Sequence, residues 1–354
     1  MHKDLSILRL PTEDLDWVLN AVGARWESLR GERLLLTGGT GFIGKWLLGT
    51  FLHANHRLGL SAEIAVLSRR PEKFLAEFPE LRKSSDVTWL SGDVRDFEPD
   101  AAGDYKFAIH AATDVVAPST PSEILDSCAI GTRRILDSMM RGSSVRRMLL
   151  LSSGAVYGNG PPDTRSIRED WLGAPDPLTP NSAYGEGKRI SEILCAMATS
   201  MRPSLEISIA RCFAFVGPHL PLDKHFAIGN FIDAAMHSKD ISIQGDGTPL
   251  RSYLYAADLT HWLWTMLFKA PSGRAYNVGG AEKLSIGELA YRVNHTLGGA
   301  GEIKIAQVPR PDAVLQAYVP SLDRIAAELG LVPSIGLDEA ILRTARWAER
   351  ALND

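Results

Sequence analysis

A tyrosine and a lysine four residues apart, Tyr184 and Lys188, could perform acid/base chemistry together. On a helix, residues with this spacing lie on one face, so both side chains would point toward one site. A nearby ammonium group favours phenolate and lowers a tyrosine pKa from about 10 toward the working range of an acid/base catalyst. Ser153, after an upstream apolar run, could hydrogen-bond the same substrate oxygen. We predict that these three catalytic residues deprotonate an alcohol as hydride leaves its carbon, or perform the reverse.

Hydride transfer requires a dinucleotide, and a glycine-rich segment has the features to bind one. The apolar run Leu34–Leu36 predicts a buried strand, and glycines at 38, 41 and 44 join it to a helical pattern. Such glycines allow a tight turn, close approach of a pyrophosphate and close packing of helix on sheet. The helix N-terminus adds N–H groups and partial positive charge. The predicted cofactor contacts here are Gly38, Thr40, Gly41, Phe42, Ile43 and Gly44.

The end of the second predicted strand bears on which dinucleotide binds. An acidic residue there accepts hydrogen bonds from the adenosine ribose, whereas a 2′-phosphate requires a cation. This chain has Ser68, Arg69 and Arg70 and no acid. Guanidinium groups pair with phosphate through charge-assisted bonds, so the sequence favours NADP(H), with NAD(H) as the alternative.

Two further segments follow predicted strands and are expected beside the cofactor. Asp93 could accept from the adenine amino group, and Val94 could pack on its ring. The segment His110, Ala111 and Ala112 would let the backbone run close to the dinucleotide, and Tyr184 and Lys188 would also contact it. Thr113 and Asp114 come next along the chain and could face the substrate.

Short apolar runs alternate with helical patterns from residue 33 to about 210. This alternation predicts a Rossmann-type, doubly wound α/β fold with a parallel sheet and ligands beyond the carboxyl ends of its strands. We expect a helical extension over residues 1–30, a dinucleotide-binding domain mainly over 31–215 and a smaller α/β substrate lobe mainly over 216–354. Some elements of the lobe should return to the first domain.

The bulk composition excludes several classes of protein. The 354 residues are 45% hydrophobic and carry a net charge of −4, which is typical of a globular protein without a basic surface for nucleic acid. Cys128, Cys195 and Cys212 lack the spacing of a zinc site or a disulfide framework. No apolar run reaches the ~18 residues of a membrane span. We therefore expect a cytoplasmic protein without a metal, a nucleic-acid partner or a membrane partner.

The glycine segment, Asp93 and Val94, Ser153 and the Tyr184/Lys188 pair together resemble the extended short-chain dehydrogenase/reductases, in their nucleotide-sugar epimerase/dehydratase branch. The resemblance spans about residues 33–350. It implies a nucleotide-diphosphate sugar substrate, redox chemistry at sugar C4, and a homodimer formed through helices around 122–141 and 183–200. It further implies that Asn230 and Arg251 hold the diphosphate, with Gly154 beside the substrate.

Two positions depart from that family's pattern. The 4,6-dehydratases of this branch usually carry an Asp-Glu pair where this chain has Gly154 and Ala155. Neither residue can move a proton, so a dehydratase of that type is disfavoured, and the segment resembles epimerases and 4-ketoreductases instead. Ala214 also stands where many relatives have an asparagine that helps bind the diphosphate.

Two enzyme activities remain, and cofactor chemistry distinguishes them. A 4-epimerase keeps one bound dinucleotide, commonly NAD, whereas a ketoreductase consumes exchangeable NADPH. Arg69 and Arg70 therefore favour reduction of a 4-keto-6-deoxy sugar nucleotide over 4-epimerisation. A catalytically silent dinucleotide-binding subunit is the competing class, and the presence of all three predicted catalytic residues argues against it.

The segment after Pro218 contains His219, Asp223 and His225. These side chains could supply a second acid/base group or hydrogen-bond sugar hydroxyls, and we expect His219 to contact the substrate. Their spacing also suggests metal binding, but the chemistry implied by the family needs no metal.

Overall fold

The computed structural model describes residues 6–98, 104–113, 119–141, 146–161, 166–224, 226–309 and 316–353. The contacts divide the chain into two compact units. The first consists of Met1–Val156, Ala174–Arg211 and Thr260–Tyr276, and the second of Tyr157–Gly173, Cys212–Leu259 and Asn277–Asp354.

The helices of the described residues are α1 (Thr12–Val22), α2 (Phe42–Leu58), α3 (Pro71–Glu77), α4 (Pro121–Arg141), α5 (Ala183–Met201), α6 (Ala227–Met236), α7 (Ala256–Lys269), α8 (Ile286–Leu297), α9 (Asp323–Leu329) and α10 (Leu337–Asn353). Short 3₁₀ helices cover Gly23–Leu29, Pro79–Lys83, Val94–Asp96, Gly154–Tyr157 and Pro180–Ser182.

The strands are β1 (Arg33–Thr37), β2 (Glu63–Ser68), β3 (Val87–Ser91), β4 (Phe107–His110), β5 (Arg147–Ser153), β6 (Glu206–Cys212), β7 (Phe215–Val216), β8 (Ile241–Ile243), β9 (Leu250–Arg251), β10 (Leu254–Tyr255), β11 (Ala275–Val278), β12 (Leu284–Ser285), β13 (Ile303–Ile305) and β14 (Ala317–Tyr318).

The main sheet in the described part of the chain has seven strands in the order β11-β6-β5-β4-β1-β2-β3. The pairs β1–β2, β2–β3, β1–β4 and β4–β5 are parallel. The strand order reverses between β1 and β4, where Thr37 lies opposite His110 at the carboxyl ends. Ligands bind at such reversal points in open α/β sheets. The doubly wound Rossmann-type fold predicted from the sequence is confirmed.

The strands of this sheet are apolar because helices cover them. Leu34, Leu35 and Leu36 are each fully buried, and each such side chain contributes about 2 kcal/mol through removal from water. A core cluster joins β1, β4 and β5 to Ile135 and Met139 of α4. Continuous burial therefore explains why β1 shows an unbroken apolar run rather than an alternating one.

The segment before β1 packs into the first unit. Trp26 is fully buried, and its ring lies 4.8 Å from that of Trp264 in α7. Leu10 packs so closely on α2 that a Cβ added at Gly49 would lie 2.5 Å from its Cδ1. The segment before β1 thus shares the hydrophobic core of the first unit.

The second unit contains short strand pairs and helices. Strand β7 pairs with β10, β8 pairs with β13, and β9 lies between β12 and β14. Helix α8 begins with a capping box in which the Ser285 hydroxyl accepts from the Glu288 amide, as its Ser-x-x-Glu sequence predicts. Across the described ranges, no helix combines the length and apolar character of a bilayer span.

Candidate active site

The glycine segment between β1 and α2 is shaped by close backbone contacts. Gly38 has φ = 71°, and a Cβ there would lie 2.7 Å from the Ala111 carbonyl carbon. A Cβ on Gly44 would collide with the Gly38 oxygen and lie 2.5 Å from the Gly39 Cα. Glycine is required at both positions by the fold itself, because backbone atoms cannot move aside as side chains can.

Gly41 differs, since the protein's own atoms do not require a glycine there. An added Cβ would meet only the Gly38 oxygen, at 3.5 Å, and the backbone has φ = −78°. Gly41 caps α2 without a side-chain hydrogen bond, and the first turn of α2 has no acidic residue. The amides of this turn and the absence of a Cβ on Gly41 therefore suit the pyrophosphate of a dinucleotide. The residues of this segment fit such a cofactor.

Alanine substitutions should separate these two roles. We expect Gly44→Ala to lower the free energy of unfolding by about 2 kcal/mol through overpacking. Gly41→Ala should change it by less than about 0.5 kcal/mol yet raise the dinucleotide Kd about tenfold or more, because the methyl group occupies the pyrophosphate's place. Denaturant melts and dinucleotide titrations measure both effects. Equal loss of stability in the two variants would contradict this account.

Lys188 lies on α5 with its ammonium group held by two acceptors. Its Nζ donates to the Thr113 hydroxyl and to the Leu151 carbonyl, each at 2.7 Å, and the residue is buried. The same Nζ lies 6.0 Å from the centre of the Tyr184 ring. The predicted helix and its shared face are therefore present, and they set a cation beside the phenol at the end of β5.

Ser153 is the last residue of β5 and is buried. Its hydroxyl oxygen accepts from the Ala155 amide at 3.1 Å, and Gly154 begins the 3₁₀ helix that follows. Ser153 and Leu151, which accepts from the Lys188 ammonium group, thus lie two residues apart at the carboxyl end of β5. Joint action of Ser153, Tyr184 and Lys188 on one substrate oxygen stays a prediction.

A second polar group behind this site was not found from the sequence. Arg211 of β6 pairs with the Glu192 carboxylate through two hydrogen bonds of 3.0 and 2.7 Å. The Ser152 hydroxyl donates to the same carboxylate at 2.6 Å. Glu192 lies one helical turn after Lys188 on the same face of α5. Lys188 contacts Leu151 of β5, and Glu192 contacts the next residue of that strand, Ser152. The four-residue spacing between Lys188 and Glu192 was the one sequence signal that could have predicted this contact.

The His110 ring is buried in the first unit between two threonine hydroxyls. Its Nδ1 lies 2.7 Å from the Thr37 hydroxyl and its Nε2 lies 3.2 Å from the Thr132 hydroxyl. Burial, with a smaller effect of the Lys188 charge, lowers the pKa of His110 to about 3. The predicted approach of the cofactor to the backbone of His110, Ala111 and Ala112 stays a prediction.

The residues at the end of β2, which are predicted to contact the adenosine end of the cofactor, are more exposed than Lys188 and Ser153. Arg69 and Arg70 are exposed after β2, and the Ser68 hydroxyl lies 3.5 Å from that of Thr40. No acidic residue ends this strand. The residues that follow β2 thus retain the cationic character on which the NADP(H) prediction depends.

Asp93 and Val94 have partners within the protein. The Asp93 carboxylate accepts from the Arg95 amide and guanidinium at 2.9 to 3.0 Å. Hydrogen bonds from Arg95 hold the pKa of Asp93 below its usual range. Val94 is buried against α4, where a Cβ on Gly131 would lie 2.6 Å from its Cγ1. Adenine contacts by these two residues stay predictions.

Three predicted substrate contacts lie in the second unit. Asn230 is exposed on α6, and the Arg251 guanidinium lies 5.6 Å from the centre of the Tyr318 ring. His219 has φ = 70°, unusual for a residue with a side chain, and its ring lies 4.7 Å from that of Trp347. Their binding roles remain untested.

Asp114 and His225 fall outside the described residues. Asp223, from the same loop as His219, lies 3.2 Å from the Lys224 ammonium group. Within the described ranges, no group of three or more His, Cys, Asp or Glu side chains is arranged to hold a metal ion.

Comparisons with known proteins show the family and the fold of this chain. The sequence pattern of the NAD-dependent epimerase/dehydratase family matches residues 34–279. UDP-glucuronic acid decarboxylase 1 of Xenopus tropicalis is 25% identical over 331 residues, which make up 91% of this chain and 73% of that protein.

Two solved structures share the fold. The dTDP-glucose 4,6-dehydratase of Bacillus anthracis, in complex with NAD, has a TM-score of 0.75 and 18% identity, covering 91% of this chain and 98% of that one. The UDP-glucose 4-epimerase of Thermotoga maritima, with UDP-glucose, has a TM-score of 0.74 and 19% identity, covering 90% and 99%.

Proposed function

Because this chain belongs to the NAD-dependent epimerase/dehydratase family, we propose that it is an oxidoreductase acting at C4 of a nucleotide-diphosphate sugar. Its preferred reaction is reduction of a 4-keto-6-deoxy sugar nucleotide with NADP(H). The observation that carries this proposal is the Lys188 ammonium group, fixed by Thr113 and Leu151 beside the Tyr184 ring. Such a pair can move a proton to or from a sugar oxygen.

The proposed reaction assigns each residue a role. Bound NADPH would supply the hydride that reduces the sugar's C4 carbonyl carbon. Tyr184 donates its phenolic proton to the carbonyl oxygen as that oxygen gains charge, and the Lys188 ammonium group stabilises the phenolate that results. Ser153 hydrogen-bonds the same oxygen and so orients the sugar. The phenolate then regains a proton from solvent.

The residues beside Ser153 argue against a dehydratase. Gly154 and Ala155 cannot exchange protons with a C6 hydroxyl, although similar proteins include a dTDP-glucose 4,6-dehydratase. The alternative is 4-epimerisation, which needs the same three catalytic residues, and the fold shared with a UDP-glucose 4-epimerase is compatible with it. An epimerase would reoxidise its own cofactor.

A substrate panel distinguishes the two activities. The dinucleotide that co-purifies is identified first by mass spectrometry. The protein is then incubated with nucleotide hexoses and with their 4-keto-6-deoxy forms, with and without NADPH. Consumption of NADPH only with a 4-keto sugar supports the reductase. A converted hexose with a retained dinucleotide and no net redox change supports the epimerase and overturns the preference.

The NADP(H) preference predicts a selective effect of the arginines after β2. Arg69→Ala combined with Arg70→Ala should raise the Kd for NADPH about 10- to 100-fold, because charge-assisted bonds to the 2′-phosphate are lost. The Kd for NADH should change less than about threefold. Arg57→Ala, an exposed arginine at the end of α2, is the matched control. Equal weakening of both dinucleotides would refute the preference.

We also propose a homodimer formed through α4 and α5. Ile193, Met197 and Met201 recur every four residues on α5 and are 59%, 49% and 74% exposed. An apolar stripe of this kind on a helix favours association with another surface. The dimer implied by the family resemblance uses the same helices.

Charge placed on this stripe should dissociate the dimer. The double variant Ile193→Lys, Met197→Lys would bury two ammonium groups in the interface and should convert the protein to a monomer in light scattering after gel filtration. Ile305→Lys, at an exposed position of the second unit, should leave the mass unchanged. A wild-type monomer at micromolar concentration would disprove the dimer.

A further inference from the structure

A series of hydrogen bonds runs through the His110 ring from Thr37 to Ser191. The contacts at each end determine which atom donates and which accepts in every bond. At one end, the Thr37 hydroxyl oxygen accepts from the amides of Ala111 and Ala112, each at 3.2 Å, and the Ala111 amide is shared with the Thr37 carbonyl at 3.3 Å. Two accepted bonds occupy both lone pairs of a hydroxyl. The Thr37 hydrogen is therefore left to donate to His110 Nδ1, 2.7 Å away.

The other end reaches the same result independently. The Ser191 hydroxyl lies 3.0 Å from the Cys128 carbonyl and 3.1 Å from the Gly187 carbonyl, which can only accept. Ser191 therefore donates to a carbonyl and accepts from Thr132 at 2.9 Å. Since the Thr132 hydrogen is committed to Ser191, His110 Nε2 must be the donor to Thr132.

Both arguments assign one tautomer to the buried ring, with the hydrogen on Nε2 and a lone pair on Nδ1. A second hydrogen, on Nδ1, would face the Thr37 hydroxyl hydrogen with no lone pair to receive it. Lys188 is the cation whose charge acts on this ring, and it too opposes protonation. The ring is thus held neutral by geometry and by burial.

The hydrogen bonds around His110 join the helices, strands and loops that carry the candidate active site. Thr37 immediately precedes Gly38 of the glycine segment. Ala111 and Ala112 lead directly to Thr113, which receives the Lys188 ammonium group. Gly187 and Ser191 flank Lys188 on α5, and Cys128 and Thr132 lie on α4.

We propose that His110 is a positioning residue, locked as the neutral Nε2–H tautomer, that fixes the glycine segment and Lys188 relative to each other. By staying neutral it leaves Lys188 as the cation that serves Tyr184. The inference rests on the proposed function only for the identity of what is positioned, namely a dinucleotide and the Tyr184/Lys188 pair.

Nitrogen-15 NMR of histidine-labelled full-length protein tests the tautomer without any substrate, with His110→Gln used to assign the signals. We expect one His110 species with a protonated Nε2 and an unprotonated Nδ1, unchanged between about pH 5 and pH 8. A ring protonated on Nδ1, or one that titrates within this range, would overturn the proposal.

Thr37 variants test the positioning role. Thr37→Val removes the hydroxyl while keeping the shape, and it should raise the dinucleotide Kd about tenfold. Thr37→Ser restores the hydroxyl and should return the Kd to within about twofold of wild type. If Thr37→Val does not fold, Thr132→Val and Thr132→Ser make the same comparison. Equal affinity for the Val and Ser variants would refute positioning.

Because the NMR and binding measurements need no sugar, their results stay valid even if the protein fails to reduce any 4-keto sugar nucleotide.

Discussion

Tyr184→Phe should lower kcat by about 10²- to 10⁴-fold, the contribution typical of a positioned general acid or base. The substitution removes one oxygen and its proton, so the substrate oxygen loses the proton donor on which hydride transfer depends. The ring and its packing near Lys188 are retained. We therefore expect the dinucleotide Kd to change less than about threefold, and single-turnover kinetics with a 4-keto sugar nucleotide should locate the loss in the chemical step.

Tyr291→Phe is the matched control, since Tyr291 is 62% exposed on α8. It should leave both kcat and dinucleotide affinity unchanged. Turnover by Tyr184→Phe at a rate near that of wild type would remove Tyr184 from the mechanism, whatever reaction the enzyme catalyses.

Glu192→Gln should lower the free energy of unfolding by about 3 kcal/mol. The carboxylate holds Arg211 through two bonds and accepts from Ser152, and the side chains of the ion pair are only 13% and 16% exposed. Removing one partner of a largely buried pair leaves the other charge poorly compensated, which costs far more than losing a surface pair. The amide preserves the shape, so the effect reports charge and hydrogen bonding, and urea unfolding measures it.

Glu186→Gln on the same helix is the control for surface charge. Glu186 lies 3.5 Å from Arg189 in a more exposed pair, which should contribute less than about 1 kcal/mol. Equal losses for the two variants would show that the Glu192–Arg211 pair does not anchor α5 to β5 and β6.

Local sequence patterns were sufficient to predict the frame of the first unit. The apolar run at Leu34–Leu36, the glycines that follow it and the Tyr184/Lys188 spacing each report a neighbourhood of a few residues. The doubly wound order then follows, because parallel strands joined by helices have few allowed connections. Gly38 and Gly44 are explained by backbone contacts that the motif implies.

The interactions that sequence reasoning missed join residues far apart in the chain. Glu192 meets Ser152 and Arg211 on two different strands, and no local pattern records which strands will be neighbours. The sequence predicts that the backbone of His110 runs close to the cofactor, but it does not predict the contacts of the ring with Thr37 and Thr132. The rotamer of a buried ring depends on hydrogen-bond partners that only the folded chain assembles.

The domain division shows the same limit. The sequence predicts a boundary near residue 215, whereas the contacts assign Tyr157–Gly173 to the second unit and Thr260–Tyr276 to the first. Contacts between residues far apart in the chain decide which segments cross between the units, so no local sequence pattern marks them. The return of some elements of the lobe to the first domain stays a prediction.

Isotope transfer tests the central claim most directly. The protein is given NADPH carrying deuterium at the transferable position, together with a 4-keto-6-deoxy sugar nucleotide, and the product is examined by mass spectrometry and NMR. The proposed mechanism predicts one deuterium at sugar C4 for each NADPH oxidised, and a rate of that transfer lowered about 10²- to 10⁴-fold in Tyr184→Phe. Product without deuterium at C4, or transfer at a rate near that of wild type in Tyr184→Phe, would contradict it.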